Sequence, residues 1–230
     1  MRAALFLKYI TKLNETATYL YPSNPKMLRE APECARRRTL LDAPHMAPLA
    51  AYRALLAARL GKAVPDADPL DGGIDARLLI LLETPGPKVL GTGFVSRDNP
   101  DGTAANLFRF LTQAGIARSD TVIWNIVPWL IQTAGERNRN PTRAEVAEGL
   151  RHLPDFLDLL PRLELAVLAG RKAEAAVGLL ETRRVACLTM PHPSPTYVCT
   201  SPDVALRISV CLGKASERLA VTRNSAMSPS

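Results

Sequence analysis

The segment Leu188-Thr-Met-Pro-His-Pro-Ser-Pro195 holds one of three histidines between two prolines, directly after a run from Val185 to Leu188 that reads as a buried strand. Prolines on both sides restrict the backbone, so His192 is poorly placed for core packing and well placed to meet a ligand at a strand's carboxyl end. A Pro-rich surface turn is the ordinary alternative. Of the other histidines, His45 beside Pro44 reads as a surface residue and His152 near Pro154 shows no partner.

Charge supplies a second chemical signal. Residues 1–62 carry 11 Lys/Arg against 4 Asp/Glu, and the remainder carries 18 against 18, so the whole net charge of +7 lies in the amino-terminal quarter. A basic arm on a neutral domain suits a polyanionic partner, and Arg36, Arg37 and Arg38 are its densest point. The cysteines Cys34, Cys187, Cys199 and Cys211 form no close pairs. Reduced core thiols in a cytoplasmic protein are expected, rather than disulfides or a zinc site. No apolar run has membrane-spanning length, and the opening apolar stretch, broken by Lys8, is too short for a signal peptide.

Positioning these groups falls to an alternation of strands and helices. Residues 1–45 read as irregular, and Met46–Leu60 as an amphipathic helix closed by Gly61. Continuous apolar runs at 77–82, 121–127, 163–168 and 184–188 read as strands. Between them, Thr103 can cap one helix, Thr142-Arg-Ala-Glu145 opens another that breaks or restarts at Pro154, and Arg171–Leu180 forms a third. A last helix begins at Ser201-Pro-Asp203. The division expected is a basic extension (1–62), an α/β domain (63–220) and a disordered tail (221–230).

Strands separated by helices imply right-handed crossovers, hence a three-layer α/β/α sandwich around a central, mostly parallel four-stranded sheet. Every carboxyl end then points to one rim. That rim collects Glu83 to Lys88, Asn125 with Trp129, Gly170-Arg-Lys172, and His192 to Ser194, and ligands of such sheets bind there.

The ordered set Glu83-Thr-Pro-Gly86, Gly93-Phe-Val95, Trp124-Asn-Ile-Val127 and His192-Pro-Ser-Pro195 resembles the uracil-DNA glycosylase superfamily, over roughly residues 77–215. It is most similar to bacterial branches whose first motif is Gly-Glu-x-Pro-Gly. The resemblance implies that Phe94 stacks on a flipped base, that Asn125 reads its Watson–Crick edge, and that Pro85 and Gly86 lie against it. Glu83 would stabilise an oxocarbenium-like sugar or activate water, and His192 would donate to the base oxygen as negative charge develops. Ser194, Arg171 and Lys172 suit phosphate contacts near a helix amino terminus. Core packing is the alternative for Phe94, a strand-end cap for Asn125, and a solvated loop carboxylate for Glu83.

Departures from the family pattern shape the expectation. Leu82 stands where related branches have the first glycine of the motif. Branches with this glutamate often hold an iron–sulfur cluster whose first cysteines form a close pair; Cys34 stands alone, so no cluster and no other cofactor is expected. The Lys-Arg-Arg-Ile-His-like insertion of some relatives is absent. Tyr197 occupies the place of a duplex wedge or is a surface aromatic, and Asp98 is a second carboxylate candidate or a turn stabiliser.

The function expected is that of a monofunctional, monomeric bacterial DNA glycosylase acting on uracil or on a modified pyrimidine, including modified cytosines of invading phage DNA. A DNA-binding member without hydrolysis is the alternative, and retention of both Glu83 and His192 speaks against it. A nucleotide-binding α/β protein lacks support because no Gly-x-Gly-x-x-Gly or phosphate-loop motif occurs.

Overall fold

The computed structural model of the chain describes residues 25–132 and 139–227. After a single 3-10 turn, α1 (Ala31–Arg38) and α2 (Ala47–Leu60) lead to β1 (Asp66–Ala67) and β2 (Leu78–Leu82). There follow α3 (Val89–Thr92), β3 (Phe94–Val95), α4 (Gly102–Gln113), β4 (Thr121–Asn125), α5 (Arg143–Leu157) and β5 (Leu165–Ala169). The chain continues through α6 (Val177–Thr182), β6 (Ala186–Met190), α7 (Pro195–Val198) and α8 (Pro202–Met227).

Strands β2, β4, β5 and β6 form one parallel sheet in the spatial order β4-β2-β5-β6, with Leu82 opposite Asn125. The unbroken Leu-Leu-Ile-Leu-Leu of β2 is buried on both faces, which is why it shows no polar alternation. Leu79 and Leu81 face a layer containing Leu56, Trp124, Leu153, Phe156 and Leu180, where Trp124 stacks on Phe156 at 4.5 Å between ring centroids. Leu78 and Ile80 face the opposite layer with Leu107, Leu111, Ile208 and Leu212. Each such side chain contributes on the order of 1.5–3 kcal/mol through burial.

The connections decide where a ligand can bind. Helix α4 joins β2 to β4 across one face, whereas α5 and α6 carry the chain to β5 and β6 across the other. The winding therefore reverses between β2 and β5, and their carboxyl ends flank the crevice where open α/β sheets receive ligands.

Several local expectations are corrected. Residues 31–38 are helical rather than irregular, with Pro32 in the first turn of α1. The cap of α4 is Asp101, whose carboxylate accepts from the Ala104 amide at 2.8 Å, instead of Thr103. Helix α5 keeps the Thr142/Glu145 capping box but runs through Pro154, because Leu153, Phe156 and Leu157 hold its last turn in the core. Helix α8 extends to Met227 rather than giving way to a tail at 221; Leu219 packs in the core, and Thr222 donates to Glu164 at 2.6 Å. A small parallel sheet pairs Asp66 with Phe94 and Ala67 with Val95.

The 1–62 extension is also corrected over its described part. Met46, Leu49 and Leu56 belong to the main core, so α2 is a layer of the sandwich. Arg37 is 1% exposed. It donates to Glu33 at 2.8 Å, to Asp98 at 2.7 Å and to Asp68. Arg118 reaches Asp68 at 2.6 Å, Asp71 at 3.0 Å and Asp98 at 2.8 Å, while Arg97 approaches Asp71 at 3.3 Å. Three guanidiniums and three aspartates thus tie α1 to the loops around β1, β3 and the start of β4. Burial pushes the Asp71 carboxyl up to about 6 against the pull of Arg97 and Arg118. At Asp68 burial is outweighed by Arg118 and Arg37, and its carboxyl is held below the usual range.

Candidate active site

A cleft of about 510 Å³ opens at the carboxyl ends of the strands. Its walls are the loop after β2, the segment after β3, the start of α4, Asn125, residues 139–141, and the chain from His192 to Tyr197. Small-ligand sites ordinarily span about 300–1,000 Å³.

Glu83, Asn125 and His192 come together here from the ends of β2, β4 and β6. Glu83 is half-buried, and its Oε1 accepts the Lys172 amide at 3.2 Å. Burial raises its pKa above the ordinary carboxylate value, with the Lys172 amide and ammonium pulling it back and Glu174 adding to the rise. Gly170, the first residue after β5 and at φ +98°, lies against both groups. A Cβ there would stand 2.5 Å from Glu83 Oε1 and 3.2 Å from His192 Cβ. Only a residue without a side chain lets the carboxylate and the imidazole approach over this turn.

His192 is locked by its neighbours. The Ser194 amide donates to its Nδ1 at 3.3 Å, so that nitrogen is the acceptor and Nε2 carries the proton. Burial brings its pKa down to about 4, which makes it a neutral N–H donor at physiological pH.

Asn125 is 1% exposed, and among the described residues neither its Oδ1 nor its Nδ2 has a hydrogen-bond partner. Buried carboxamides are ordinarily satisfied. An adjacent donor and acceptor left open on a cleft wall match a heterocycle edge that presents one of each.

The remaining expected site residues separate. Pro85 and Gly86 line the cleft, with the Pro85 carbonyl held by Gln132 Nε2 at 3.3 Å. Ser194 and Tyr197 line its mouth, and Tyr197 is 53% exposed. Lys172 contributes its amide to Glu83, whereas Arg171 is exposed and outside the lining. Phe94, expected as a stacking platform, is 1% exposed in a small cluster with Leu28 and Cys34 and is not part of the cleft wall; its neighbour Val95 is. Asp98 is engaged by Arg37 and Arg118 rather than facing the cleft. Within the arginine run, Arg36 pairs with Glu33 at 2.7 Å and is exposed. Arg38 is also exposed, and donates to the Thr92 carbonyl at 3.3 Å. The enclosure of Arg37 takes it out of reach of phosphate and corrects its assignment to DNA contact.

Sequence reasoning missed the cleft residues Ser96, Asn99, Arg139 and Asn140. The loop Ser96-Arg-Asp-Asn-Pro100 carried a signal in its density of polar residues, but nothing local indicated which of them face the cleft. The cysteines lie on separate elements: Cys34 on α1, Cys187 on β6, Cys199 after α7 and Cys211 on α8. Among the described residues, no group of three or more His, Cys, Asp or Glu is placed to hold a metal ion. No described helix is long and apolar enough to cross a membrane.

A cleft at the carboxyl rim of a doubly wound parallel sheet is the place where open α/β proteins receive ligands, and comparison supplies the family. Residues 69–208 match the model of the Uracil DNA glycosylase superfamily, and the chain belongs to that superfamily. Among solved structures, the chain is similar to the solution NMR structure of a "putative Uracil DNA glycosylase from Methanosarcina acetivorans". The identity is 15%, the coverage 66% of this chain and 97% of that one, and the TM-score 0.42. No curated protein matches the sequence.

Proposed function

We propose that the protein is a monofunctional DNA glycosylase, acting as a monomer in the bacterial cytoplasm. It takes a uracil or a modified pyrimidine, modified cytosines of invading phage DNA included, out of the stack and hydrolyses its N-glycosidic bond. The single observation carrying this is the unpartnered Asn125 carboxamide on the same cleft as a carboxylate and a neutral imidazole.

In this reading Asn125 meets the edge of the flipped base. His192 Nε2–H donates to a base oxygen as the bonding pair departs with the base, and needs no positive charge to do so. The ionised Glu83 faces the sugar, where positive charge develops, and takes a proton from the attacking water. Water's hydroxyl ends on C1′, the base leaves as an anion held by the His192 N–H, and the proton that Glu83 took from water passes through solvent to that anion, which restores the carboxylate, frees the neutral base and leaves an abasic site. Ser194 and Tyr197 at the mouth suit the backbone and stack of the entering strand.

The test is mass spectrometry of free bases released from DNAs carrying uracil or modified cytosines. The parent should release one of them, and Glu83→Gln should slow single-turnover release far more than it weakens binding. Folded parent protein that releases nothing across the panel overturns the reading.

A further inference from the structure

A second cleft, also of about 510 Å³, lies beside the first. It is bounded by α1 and the residues before it on one side and by the segment 87–92 on the other, and Pro87 lines both clefts. Arg29, Arg38 and Lys88 project around it, and none of the described residues lining it is acidic. All three cations are exposed. Arg38 is held across the opening by its bond to the Thr92 carbonyl at 3.3 Å, which fixes one cation without neutralising it. Of the acids around it, Glu33 is committed to Arg36 and Arg37, Asp66 to Arg53 with Arg38 acting on it from farther off, and Glu30, at the start of α1, is exposed and outside the lining.

We infer that this second cleft seats the phosphodiester backbone flanking the flipped nucleotide, on the same DNA strand. The inference rests on the proposed glycosylase function. A strand that delivers one base into the first cleft must carry its backbone out over a wall, and the loop from Thr84 to Lys88 is the wall shared with the second. A channel lined, among the described residues, by three cations and no acid attracts phosphate without reading sequence. The cations come from α1, the turn before it, and the loop carrying the first motif. The described part of the basic extension therefore acts as a fixed wall of a DNA track, with Arg29 and Lys88 as contacts that the arginine run alone did not indicate.

The experiment measures binding of the full chain to a duplex with one tetrahydrofuran abasic analogue, at several salt concentrations. Neutral methylphosphonate linkages are placed one at a time on either flank. For the parent, a neutral linkage at a seated phosphate should weaken binding. In the combined Arg29→Ala, Arg38→Ala, Lys88→Ala variant that penalty should vanish, and the log–log salt slope should become shallower by up to about 0.9 per lost contact. Lys88→Ala alone carries the test should the combined variant fail to fold. A parent-like slope and an undiminished penalty in the variant overturn this inference while leaving base release by the parent intact. A parent that neither binds the duplex nor releases a base removes the functional reading and this inference with it.

Discussion

Gly170→Ala isolates the geometry of the site from its chemistry. The new Cβ would lie 2.5 Å from Glu83 Oε1 and 3.1 Å from Glu83 Cδ, where ordinary contact begins near 3.4 Å. The carboxylate is the end of a flexible side chain, so it yields by roughly 1 Å rather than unfolding the turn. Misplacement on that scale costs roughly 100-fold in a positioned reaction. The backbone contributes separately, since φ of +98° is unfavourable for alanine, and a loss of about 1–2 kcal/mol in stability is expected. The assay pairs single-turnover base release with urea denaturation and with binding to abasic-analogue DNA. Release should fall about 100-fold while the protein stays folded and binds the analogue close to the parent level. Release at the parent rate from folded protein would show that the Glu83 position does not govern the chemistry.

Three further outcomes follow from the same structure. Release should rise with pH as Glu83 ionises, at a value above the ordinary carboxylate range, and stay level through neutrality because His192, titrating at about 4, is already neutral; a rate that declines from pH ~5 to ~8 would mean the imidazolium is the acting form. Arg37→Ala should cost about 3 kcal/mol in urea denaturation by leaving the buried Asp68 and Asp98 carboxylates with Arg118 as their shared cation, whereas Arg36→Ala, at an exposed pair, should change it by less than about 1 kcal/mol; equal effects would refute the role of enclosure. Asn125→Ala should lose about 1–3 kcal/mol of discrimination between bases while breaking no hydrogen bond of the fold, and discrimination equal to the parent's in a competition assay would remove Asn125 from base reading.

The central sheet was legible because its strands are continuous apolar runs between turn residues, a pattern that survives without tertiary information. Their order puts Glu83, Asn125 and His192 at one rim, and those strand ends do meet in one cleft. The ionic cluster was not legible. Its partners are 20 to 61 residues apart, and each charge sits in a segment that reads as an ordinary polar loop. Arg36, Arg37 and Arg38 looked alike as a run, yet consecutive helical residues point about 100° apart, so one turns inward while its neighbours do not. The i,i+4 relation of Glu33 to Arg37 was the available clue. Phe94 shows a different limit. Its motif suggests a ring facing the site, but α1 and the turn before it bring Leu28 and Cys34 over it, and that contact depends on where a distant segment docks.

The buried charges between α1 and the loops of β1 and β3 bear on where this protein can be shortened. Cutting the chain before residue 63 looks like trimming a dispensable leader, yet it would remove the only α1 counter-ion of Asp68 and Asp98. Asp68 also accepts from Ser96, and Asp98 accepts from Arg118 while its amide donates to the Ser96 hydroxyl oxygen at 2.9 Å. Ser96 and the adjacent Val95 are part of the cleft wall. Excising the amino-terminal quarter would therefore leave three buried carboxylates sharing Arg97 and Arg118 behind the wall of the site, so a shortened protein that keeps α1 and α2 should be the more stable one.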